Sequence, residues 1–585
     1  MDPLVFLPQH VRTLVGLNNS IPFTLPQALR EDFALVAIID ISGYSKLSSK
    51  LEAALGSDSG ARIKEVINPP MDLITQHVHR YCGSIVKLAG DAVIACWTLD
   101  PDVTIHTDTY QKILSLNVLL CCLELLEVFH SYEVLVNLSS DQSPTSQDSA
   151  STPSPPQYLH QKLAIHIGLG VGPLDHIHVG GKSIRSHRPH TGRRRASSMP
   201  SPYSQTLSRR EYFIAGEALA IAGANLNLGD RGDFLFPETF HATLQETIGV
   251  TCVSKNDAFC ISDTDPLLEK MQLKAFKYIT PLRNSEIESK EQKLPPAIGR
   301  NPMYLSHAKA YIDNSIAKQL VTLEHGGLIK DQLRSVSVVF IKFGGFKSET
   351  VAEPENLKQL QACTQVIVAK VQEYEGCVRQ FNCDDKSLTA LLVWGLEGNA
   401  HEKGEAQVAM MAATEIAKNM PNCLTDPEGF SIGVTTGVVF AGIVGSKERC
   451  DNTVLGVVVN NAARLMCLPM CHGTVLCDEE TYKSTSGLFN YITDIPEVTL
   501  KGVPYPVKIY NPMGDSTAPK ALNELTLISG REREMQLLEA SLEVWRSSAF
   551  ESKPKNCILI GPSGIGKTQL TSWLQEQIDD TEILW

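Results

Sequence analysis

The stretch "FALVAIIDISGYSKL" (residues 33–47) decides the fold, because an apolar run typical of a buried β-strand closes on a carboxylate, Asp40. Burial of a carboxylate is costly unless the group is paired or coordinates a metal. The hairpin "KLAGDAVIAC" (87–96) supplies a second carboxylate, Asp91, in a Gly-Asp turn before an alternating apolar strand. Together with the Ile41 carbonyl, these oxygens suit a magnesium pair that holds a triphosphate. Taken singly, Asp91 also favours a turn and Asp40 also caps a helix.

The two halves of the chain repeat the same blocks in the same order. The matched pairs are 33–47 with 335–348, 81–97 with 374–394, 163–172 with 430–439, and 212–226 with 452–466. Each repeat contains an apolar strand, a helical stretch, a hairpin, strands with glycine turns and another helix. This order predicts an α+β fold with helices on a largely antiparallel sheet. Two such domains in a pseudo-twofold pair would place ligand sites at the seam between them.

Length and composition bound the class of protein. A chain of 585 residues is too long for one core and predicts at least three domains. A net charge of −13 argues against a nucleic-acid partner. No signal peptide or spanning helix is evident, and 15 cysteines scattered through apolar segments favour a reducing, cytoplasmic location.

Neither cysteine nor histidine spacing predicts a metal centre. Cys467, Cys471, His472 and Cys477 could hold zinc, but their spacing fits structural zinc sites poorly and favours ordinary thiols. The histidines of the first half are spread over a predicted strand, a turn and a disordered loop, so we expect no common site. They are His166, His176, His178, His187 and His190.

Composition shifts divide the chain into segments. We predict a lead-in (1–30), a first domain (31–260), a linker (261–330), a second domain (331–515) and the start of a third domain (526–585). The first domain contains a Ser/Pro-rich insertion (139–157) and a basic insertion (181–210). Neither insertion can bury enough apolar area to offset the entropy of ordering it, so both are predicted to be disordered.

The third region contains "CILIGPSGIGKTQL" (557–570), in which an apolar strand runs into G-x-x-x-x-G-K-T and then a helical pattern. In a phosphate-binding loop, glycines free backbone amides to cradle phosphates, the lysine reaches the outer phosphates and the threonine ligates magnesium. The residues are Gly561, Gly564, Gly566, Lys567 and Thr568. The sequence ends before a Walker B acid, so we expect the start of a P-loop NTPase domain that binds a second ATP or GTP.

Together the blocks resemble the class III nucleotidyl cyclases, and specifically the soluble adenylyl cyclases, in which two cyclase domains precede a phosphate-loop ATPase domain. The resemblance covers roughly residues 30–512 and 527–585. It implies that Asp40 and Asp91 bind two magnesium or manganese ions, with calcium as a further candidate. The implied reaction is attack of the ribose 3′-hydroxyl of ATP on the α-phosphate, which yields cyclic AMP and pyrophosphate.

The second domain supplies the residues expected to bind the ribose and the phosphates, in "TVLGVVVNNAARL" (453–465). The resemblance places Asn460 on the ribose and Arg464 on the phosphates in the transition state. These residues are four apart and share a helix face, and arginine suits charge on a transferring phosphoryl group. The second domain has Lys342 where the first has Asp40, and the first has alanine or glycine types at the places of Asn460 and Arg464. We therefore expect one complete site, formed within a single chain.

The remaining nucleotide contacts follow from the resemblance and the turn chemistry. The turn Ser42, Gly43, Tyr44 and Ser45 would receive the outer phosphates. His166 stands where relatives place a lysine near the terminal phosphates, although a half-buried strand histidine is an equal explanation. Gln380 replaces the adenine-reading lysine, and an amide serves adenine or guanine. Thr453, followed by Val454, favours ATP, while a guanylyl cyclase and a signalling ATPase with a decayed, nucleotide-sensing cyclase pair stay open.

The pseudo-twofold pair has a second site at the seam, equivalent to the catalytic one but incomplete. Its residues predict weak or absent bicarbonate regulation. Soluble adenylyl cyclases bind bicarbonate there through a lysine of the first hairpin and an arginine of the last helix of the first domain. Lys87 matches the lysine, whereas Gly223 occupies the arginine position, with Arg185, Arg209 or Arg210 as the alternative if the alignment shifts across the preceding insertion. One cation without a bidentate partner holds a small anion poorly.

The basic insertion also carries a short modification pattern. "RRRASS" (193–198) fits R-R-x-S, which cyclic-AMP-dependent kinase reads, and makes Ser197 a candidate phosphorylation site. A phosphate at Ser197 would add nearly two negative charges to this loop.

Overall fold

The structure is a computed structural model of the chain. It describes residues 3–17, 25–44, 47, 50–51, 54, 59–100, 106–138, 158–181, 209–262, 268–282, 308–313, 315–316, 332–384, 387–396, 404–500, 506–513, 531–547 and 570. Several predictions lie outside these residues and stay predictions. They concern Ser45, Ser197, the insertion 139–157, most of the insertion 181–210, and the phosphate-loop residues from Gly561 to Thr568.

The first domain is a sheet with helices packed on it. Its strands are β1 (Gln27–Ser42), β2 (Ser84–Ala89), β3 (Ala92–Thr98), β4 (Glu133–Asn137), β5 (Tyr158–Lys162), β6 (Ala164–Gly180), β7 (Arg210–Ala215), β8 (Asp233–Phe236), β9 (Val253–Lys255) and β10 (Ala258–Ser262). The helices, after α1 (Gln9–Leu17), are α2 (Ser59–Arg80), α3 (Thr107–His130), α4 (Glu217–Leu228), α5 (Glu238–Ile248) and α6 (Leu268–Leu282). The sheet order is β2-β3-β1-β6-β8-β10-β9, with β7 on β6 and a separate β4-β5 ribbon. Only β6 and β8 pair in parallel among the described strands of this domain.

The second domain repeats this architecture. Its strands are β11 (Gln332–Phe343), β12 (Cys377–Cys383), β13 (Leu388–Trp394), β14 (Phe430–Gly445), β15 (Cys450–Leu455), β16 (Val475–Asp478), β17 (Tyr491–Ile492) and β18 (Ile509–Pro512). Its helices are α7 (Pro354–Glu373), α8 (Glu405–Asn419), α9 (Val457–Met466) and α10 (Glu479–Thr485). The sheet order β12-β13-β11-β14-β16-β18-β17, with β15 on β14, matches the first sheet strand for strand. The predicted α+β repeat is therefore confirmed.

Strand register confirms which residues of the two domains are equivalent. Asp40 pairs with Ala92 on β3 and with His166 on β6. Lys342 holds the same place in the second sheet, between β13 and β14. The hairpins also match, because β2 and β12 each carry a bulge immediately before the equivalent residues Lys87 and Gln380. A cation therefore stands where the first domain has its half-buried carboxylate.

The central strand β1 is buried on both faces, which explains its continuous apolar run. Leu35, Ala37 and Ile39 pack into the core of the first domain. Val36 and Ile38 point to the other face and join a core that extends into the second domain. Full burial of each large aliphatic side chain contributes about 1.5–3 kcal/mol, so β1 ties the two domains together.

Helix α3 is the one helix among the described residues that is long and apolar enough to cross a membrane, with a hydropathy of 1.8 over an 18-residue window. However, 78% of that window is buried inside the protein. The helix packs against α5 and α6 and places side chains such as Leu119 and Phe129 in the core of the first domain. Packing within the protein accounts for its apolar surface.

The first domain extends further than the sequence indicated at both ends. Strand β1 begins at Gln27, inside the predicted lead-in. Helix α6 lies in the predicted linker, and its Met271 and Ala275 are buried in the core of the first domain. These two residues are four apart on one helix face, which is why a segment of mixed composition can still pack. The basic insertion is also shorter, since Gly181 N donates to Arg209 O at 3.1 Å at the base of the β6-β7 hairpin.

Matching contacts relate the two domains by a pseudo-twofold axis. Gln361 on α7 makes two hydrogen bonds to the backbone of Gly180 at the end of β6, at 2.7 and 2.8 Å. Asn68 on α2 accepts from Gly445 N at the end of β14, at 3.3 Å. In each domain, therefore, a side-chain amide on a helix forms hydrogen bonds with the backbone at the end of the other domain's long strand.

Both sheets belong to one compact body, which comprises Met1–Ala400 and Glu405–Gly514. A second body comprises His401–Gly404 and Asp515–Trp585. Within that body the structure describes one helix, α11 (Glu532–Ser547), among few other residues.

Candidate active site

A cavity of about 680 Å³ lies at the seam between the two sheets and is lined by both domains. The first domain contributes Tyr44, from the predicted phosphate-binding turn, and Asp91, from the β2-β3 hairpin. Five residues that the sequence singled out line it from the second domain: Gln380, Thr453, Val454, Asn460 and Arg464. The seam thus brings the predicted metal side and the predicted nucleotide side together.

Of the two predicted metal ligands, Asp91 lines this cavity, whereas Asp40, at the end of β1, is not among the lining residues. Ile41 N donates to the Asp91 carbonyl at 3.1 Å, which joins the end of β1 to the hairpin turn. Burial, and then the nearby Asp91 carboxylate, raise the pKa of Asp40 to about 7. A carboxyl group with this environment gains stability from a cation beside it.

These oxygens fit a magnesium ion better than a caged transition metal. Among the described residues, no cluster of three or more His, Cys, Asp or Glu side chains is arranged to hold a metal. Magnesium is usually held by one or two carboxylates together with phosphate oxygens and water. Asp40 and Asp91, with the Ile41 carbonyl, supply the protein share of such a site.

The structure places His166 beside Asp40. Its Nδ1 lies 3.6 Å from Asp40 Oδ2 and 3.2 Å from Ser42 Oγ. His166 is not among the residues that line the cavity. Burial lowers the pKa of His166, which favours the neutral ring. The geometry makes His166 a neighbour of the metal ligand, and the phosphate contact stays a prediction.

Helix α9 presents Asn460 and Arg464 to the cavity. The helix starts at Val457 and is preceded by Gly456, whose φ of +152° is a conformation that residues with a side chain rarely adopt. Arg464 Nη1 donates to Asn461 Oδ1 at 3.2 Å, one helical turn back. The four-residue spacing read from the sequence therefore puts both predicted catalytic groups on the cavity side.

The second seam site lines the other part of the same cavity, with charged side chains that contact one another. Lys87 donates to the carbonyl of Phe381 across the seam. Burial lowers the pKa of Lys87 to about 8, with Asp451 and Glu211 opposing this shift. The predicted regulatory lysine is thus already engaged with the second domain.

Sequence reasoning missed three buried ion pairs around Lys87. Arg209 Nε lies 2.6 Å from Glu211 Oε1, and Arg449 Nη1 lies 2.9 Å from Asp451 Oδ1. The third pair joins Arg379 to Asp313. Arg379 stands on the bulge next to Gln380, and a charged residue inside an apolar hairpin strand was the only signal that could have pointed to it.

A histidine cluster was also missed, because one member lies in the lead-in. His10 stacks on His176 with ring centroids 3.7 Å apart, and His178 Nδ1 lies 3.0 Å from the Tyr311 hydroxyl. Burial lowers the pKa of His10 to about 4, of His176 to about 2 and of His178 to about 3. Neutral rings therefore fasten α1 to the first sheet.

The structure divides the cysteine group of the second domain between surface and core, with Cys467 exposed. Cys471 and Cys477 are buried in apolar cores, and the cysteines among the described residues are free thiols.

The comparisons with known proteins find similarity to nucleotidyl cyclases of class III. More particularly, the chain resembles the soluble adenylyl cyclases over nearly its whole length. Human adenylate cyclase type 10 is 23% identical over 582 residues, which is 97% of this chain and 32% of that protein. The rat protein of the same name is 23% identical over 488 residues and 26% of its length. The chain thus spans about a third or less of the length of the curated relatives it matches. No family model matches the chain.

Solved structures with similarity include the adenylyl cyclase CyaB of P. aeruginosa, at 23% identity and a TM-score of 0.29, which covers 32% of this chain and 98% of that one. A class III adenylyl cyclase-like ATP-binding protein from Pseudomonas aeruginosa covers 82% of this chain and 94% of that one, at 13% identity and a TM-score of 0.45.

Proposed function

We propose that this chain is an adenylate cyclase that converts ATP to 3′,5′-cyclic AMP and pyrophosphate at the seam between its two sheets. One observation carries the proposal: a single cavity is lined by Asp91 of the first domain and by Asn460 and Arg464 of the second. Neither domain holds the full set, since Lys342 replaces Asp40 in the second domain. Complementary halves that meet over one cavity are what a one-site cyclase needs.

The residues take distinct roles in this reaction. Asp40 and Asp91 would hold two divalent cations, magnesium or manganese with calcium as a further candidate, which lower the pKa of the ribose 3′-hydroxyl and bind the triphosphate. Asn460 holds the ribose so that its 3′-oxygen faces the α-phosphate. As the new O–P bond forms and the bond to pyrophosphate breaks, Arg464 stabilises the charge that develops on the phosphoryl oxygens. The hydroxyl proton passes to solvent.

The base is read by Gln380 and Thr453, with the neighbouring Val454 completing this wall of the cavity. The Gln380 amide can donate to N1 of adenine, and the Thr453 hydroxyl can accept from its exocyclic amine. The same amide can accept from guanine, so Gln380 alone does not distinguish ATP from GTP, and the choice of ATP rests on Thr453.

The deciding experiment uses the full 585-residue chain. The purified protein is incubated with ATP or GTP and with magnesium or manganese, and the cyclic product is identified by mass. Cyclic AMP as the main product supports the proposal. Cyclic GMP as the main product would make the enzyme a guanylyl cyclase. Hydrolysis without a cyclic product, lost in Lys567→Ala, would instead identify a signalling ATPase with a degenerate cyclase pair.

We also propose that a second ATP or GTP binds the G-x-x-x-x-G-K-T segment near Lys567, on its sequence alone. A cytoplasmic location is proposed on the free thiols among the described cysteines.

A further inference from the structure

A short stretch of the predicted linker lies against the wall of the cavity that is proposed to read the base. We call it the linker stretch, and its described residues are Ile312, Asp313, Ser315 and Ile316. The two polar members are buried, since Asp313 is 8% exposed and Ser315 is 0% exposed. Asp313 lines the cavity together with Ile312 and Ile316. The sequence analysis assigned this stretch to neither domain and therefore gave it no part in the site.

The Asp313 carboxylate is the centre of a buried hydrogen-bond network. Its Oδ1 accepts from Ser315 N at 2.9 Å, from Ser315 Oγ at 2.5 Å and from Ile316 N at 3.0 Å. Its Oδ2 is paired with the Arg379 guanidinium. Burial opposes the charged form, but Arg379 and the Ser315 hydroxyl outweigh burial and lower the pKa of Asp313. A buried carboxylate that accepts from four donors is held in one place.

The network reaches both proposed base-reading residues through their neighbours in the chain. On one side, Arg379 directly precedes Gln380 on β12. On the other side, Asn452 Nδ2 donates to Ser315 Oγ at 3.0 Å, and Asn452 directly precedes Thr453 on β15. The serine oxygen accepts this bond while its own proton is donated to the carboxylate. One buried cluster therefore joins the strand that carries Gln380 to the strand that carries Thr453.

Both neighbours occupy positions from which they can direct the next side chain. Arg379 is the extra residue of the β12 bulge, because the register shifts between Val378 and Gln380. A bulge re-aims the side chains of its strand, so the ion pair at Arg379 influences where Gln380 points. In a strand such as β15, successive side chains point to opposite faces, and a bond that fixes Asn452 therefore also fixes the direction of Thr453.

The first domain has different residues at the equivalent positions. Val86 is the extra residue of the β2 bulge, where the second domain has Arg379. Tyr212 stands four residues before the capping glycine of α4, as Asn452 stands four residues before that of α9, and its hydroxyl contacts His176. The network therefore accompanies the side of the pair that faces the base and is not a general feature of the fold.

We infer that the linker stretch is a positioning element for base recognition, because Asp313 and Ser315 hold the strands of Gln380 and Thr453 at a fixed separation and so set the selectivity for ATP over GTP. This inference rests on the proposed cyclase function, in which these two residues read the base. An amide and a hydroxyl distinguish purines only by the direction of their hydrogen bonds. Such bonds reject the wrong base while their donors and acceptors are held in place, so a loosened pair should discriminate less.

The first test is the ratio of kcat/KM for ATP to kcat/KM for GTP, measured on the full chain with magnesium. Ser315→Ala removes the bond to Asn452 and should lower this ratio about fivefold, the scale of one hydrogen bond, with most of the change in KM. The matched control is Ser348→Ala, because Ser348 is a buried serine with two hydrogen bonds to the Gly216 backbone, each 3.0 Å long. It should leave the ratio unchanged. An unchanged ratio in Ser315→Ala, or an equal fall in the control, overturns the inference.

A second variant separates positioning from folding. Arg379→Met combined with Asp313→Leu replaces the buried ion pair by apolar side chains of similar size and should keep most of the stability of the protein. The ratio for ATP over GTP should nevertheless fall, because the strand of Gln380 loses its bond to the linker stretch. Urea unfolding measures the stability, and kinetics with the two nucleotides measure the ratio. A folded double variant with the selectivity of wild type would overturn the inference.

A binding test separates failure of the inference from failure of the proposed function. A parent protein and its Ser315→Ala variant are both prepared with Lys567→Ala, so that the predicted phosphate loop does not contribute. Affinities for non-cyclisable analogues of ATP and GTP are then measured with magnesium. A smaller difference between the two analogues in the variant supports the inference even if no cyclic product is ever formed. Equal differences in the two proteins, or a parent that binds both analogues equally, overturn it.

Discussion

The two seam sites of this molecule occupy equivalent positions and have opposite electrostatic character. On one side, Asp40 and Asp91 lie close enough that burial and repulsion raise the pKa of Asp40 to about 7. On the other side, Arg379 is paired with Asp313 within the protein. Residues of both seams line one cavity, but the two carboxylates of the first seam repel each other, whereas the charges of the second are paired within the protein. This is the pattern expected of a site that binds a cationic ligand beside one that satisfies its own charges.

The difference arises at a few register positions. Gln380 and Lys87 follow equivalent bulges, yet the first lines the nucleotide side and the second bonds across the seam to Phe381. Four residues after its capping glycine, α9 has Asn460 whereas α4 has Ala220. A duplicated fold therefore needs few substitutions to keep one site and fill the other with its own side chains.

The largest expected effect comes from the carboxylates of the first seam. Asp40→Ala or Asp91→Ala should reduce cyclase activity to background, because each removes a metal ligand. Folding should be retained, since neither carboxylate packs in an apolar core. Circular dichroism melts check folding, and product mass checks activity. Near-normal turnover in either variant would sink the metal assignment.

The next largest effect is expected from the second-domain residues of the first seam site. Arg464→Ala should lower kcat by roughly two to three orders of magnitude, the scale of losing one preorganised group that stabilises charge. Asn461→Ala is the matched control, because it removes the amide that accepts from Arg464 and leaves the guanidinium. A change in KM alone would show that Arg464 binds substrate without a transition-state role.

The third prediction concerns the contribution of the second seam site to the stability of the protein. Arg379→Ala should lower the free energy of unfolding by about 3–5 kcal/mol, because it leaves the buried Asp313 carboxylate without its partner. The double variant Arg379→Met with Asp313→Leu should recover most of that loss. Urea unfolding of the three proteins measures both. If the single and double variants are equally destabilised, the pair is not what stabilises this seam.

The sequence predicted the features that are periodic or repeated. The continuous apolar run of β1, the Gly-Asp hairpin and the helix spacing of Asn460 and Arg464 are local patterns, and register confirms the equivalence of Asp40 with Lys342. These patterns follow from strand and helix geometry, which a single segment already contains.

Contacts between distant segments could not be predicted in this way. Asp313 and Arg379 are 66 residues apart, and the pair forms only because a stretch of the predicted linker folds back onto β12. The same holds for His10, which meets His176 on β6. No periodicity marks such side chains, since their partners are set by tertiary packing.

The fourth prediction concerns the cluster of His10, His176 and His178, which contacts Tyr212 and Tyr311. Folding lowers the pKa of His10 to about 4, so the folded state binds fewer protons than the unfolded one as the pH falls below 6.5. Stability is therefore present above pH 6.5 and is lost on acidification, by about 1 kcal/mol per such histidine at pH 5.5. His10→Phe keeps the stack and removes one titrating group. Urea melts at pH 7.5 and 5.5 should show a smaller loss for the variant than for wild type, and equal losses would contradict the assignment.

The smallest expected effect is that of bicarbonate, which should not stimulate the proposed cyclase activity. The ammonium of Lys87 already donates to the Phe381 carbonyl, and Asp451 and Glu211 supply negative charge beside it. Gly223, at the position where relatives carry an arginine, is buried in α4 and has no side chain to offer. The arginines near Lys87 are Arg209, Arg379 and Arg449, and each is already paired with a carboxylate. An incoming anion would have to replace the Phe381 contact and break one of these pairs, so its binding should be weak. Turnover is measured at fixed pH and ionic strength with sodium bicarbonate against sodium chloride. A several-fold, saturable stimulation that Lys87→Ala abolishes would show that the second seam is open and that the contrast between the two seams is wrong.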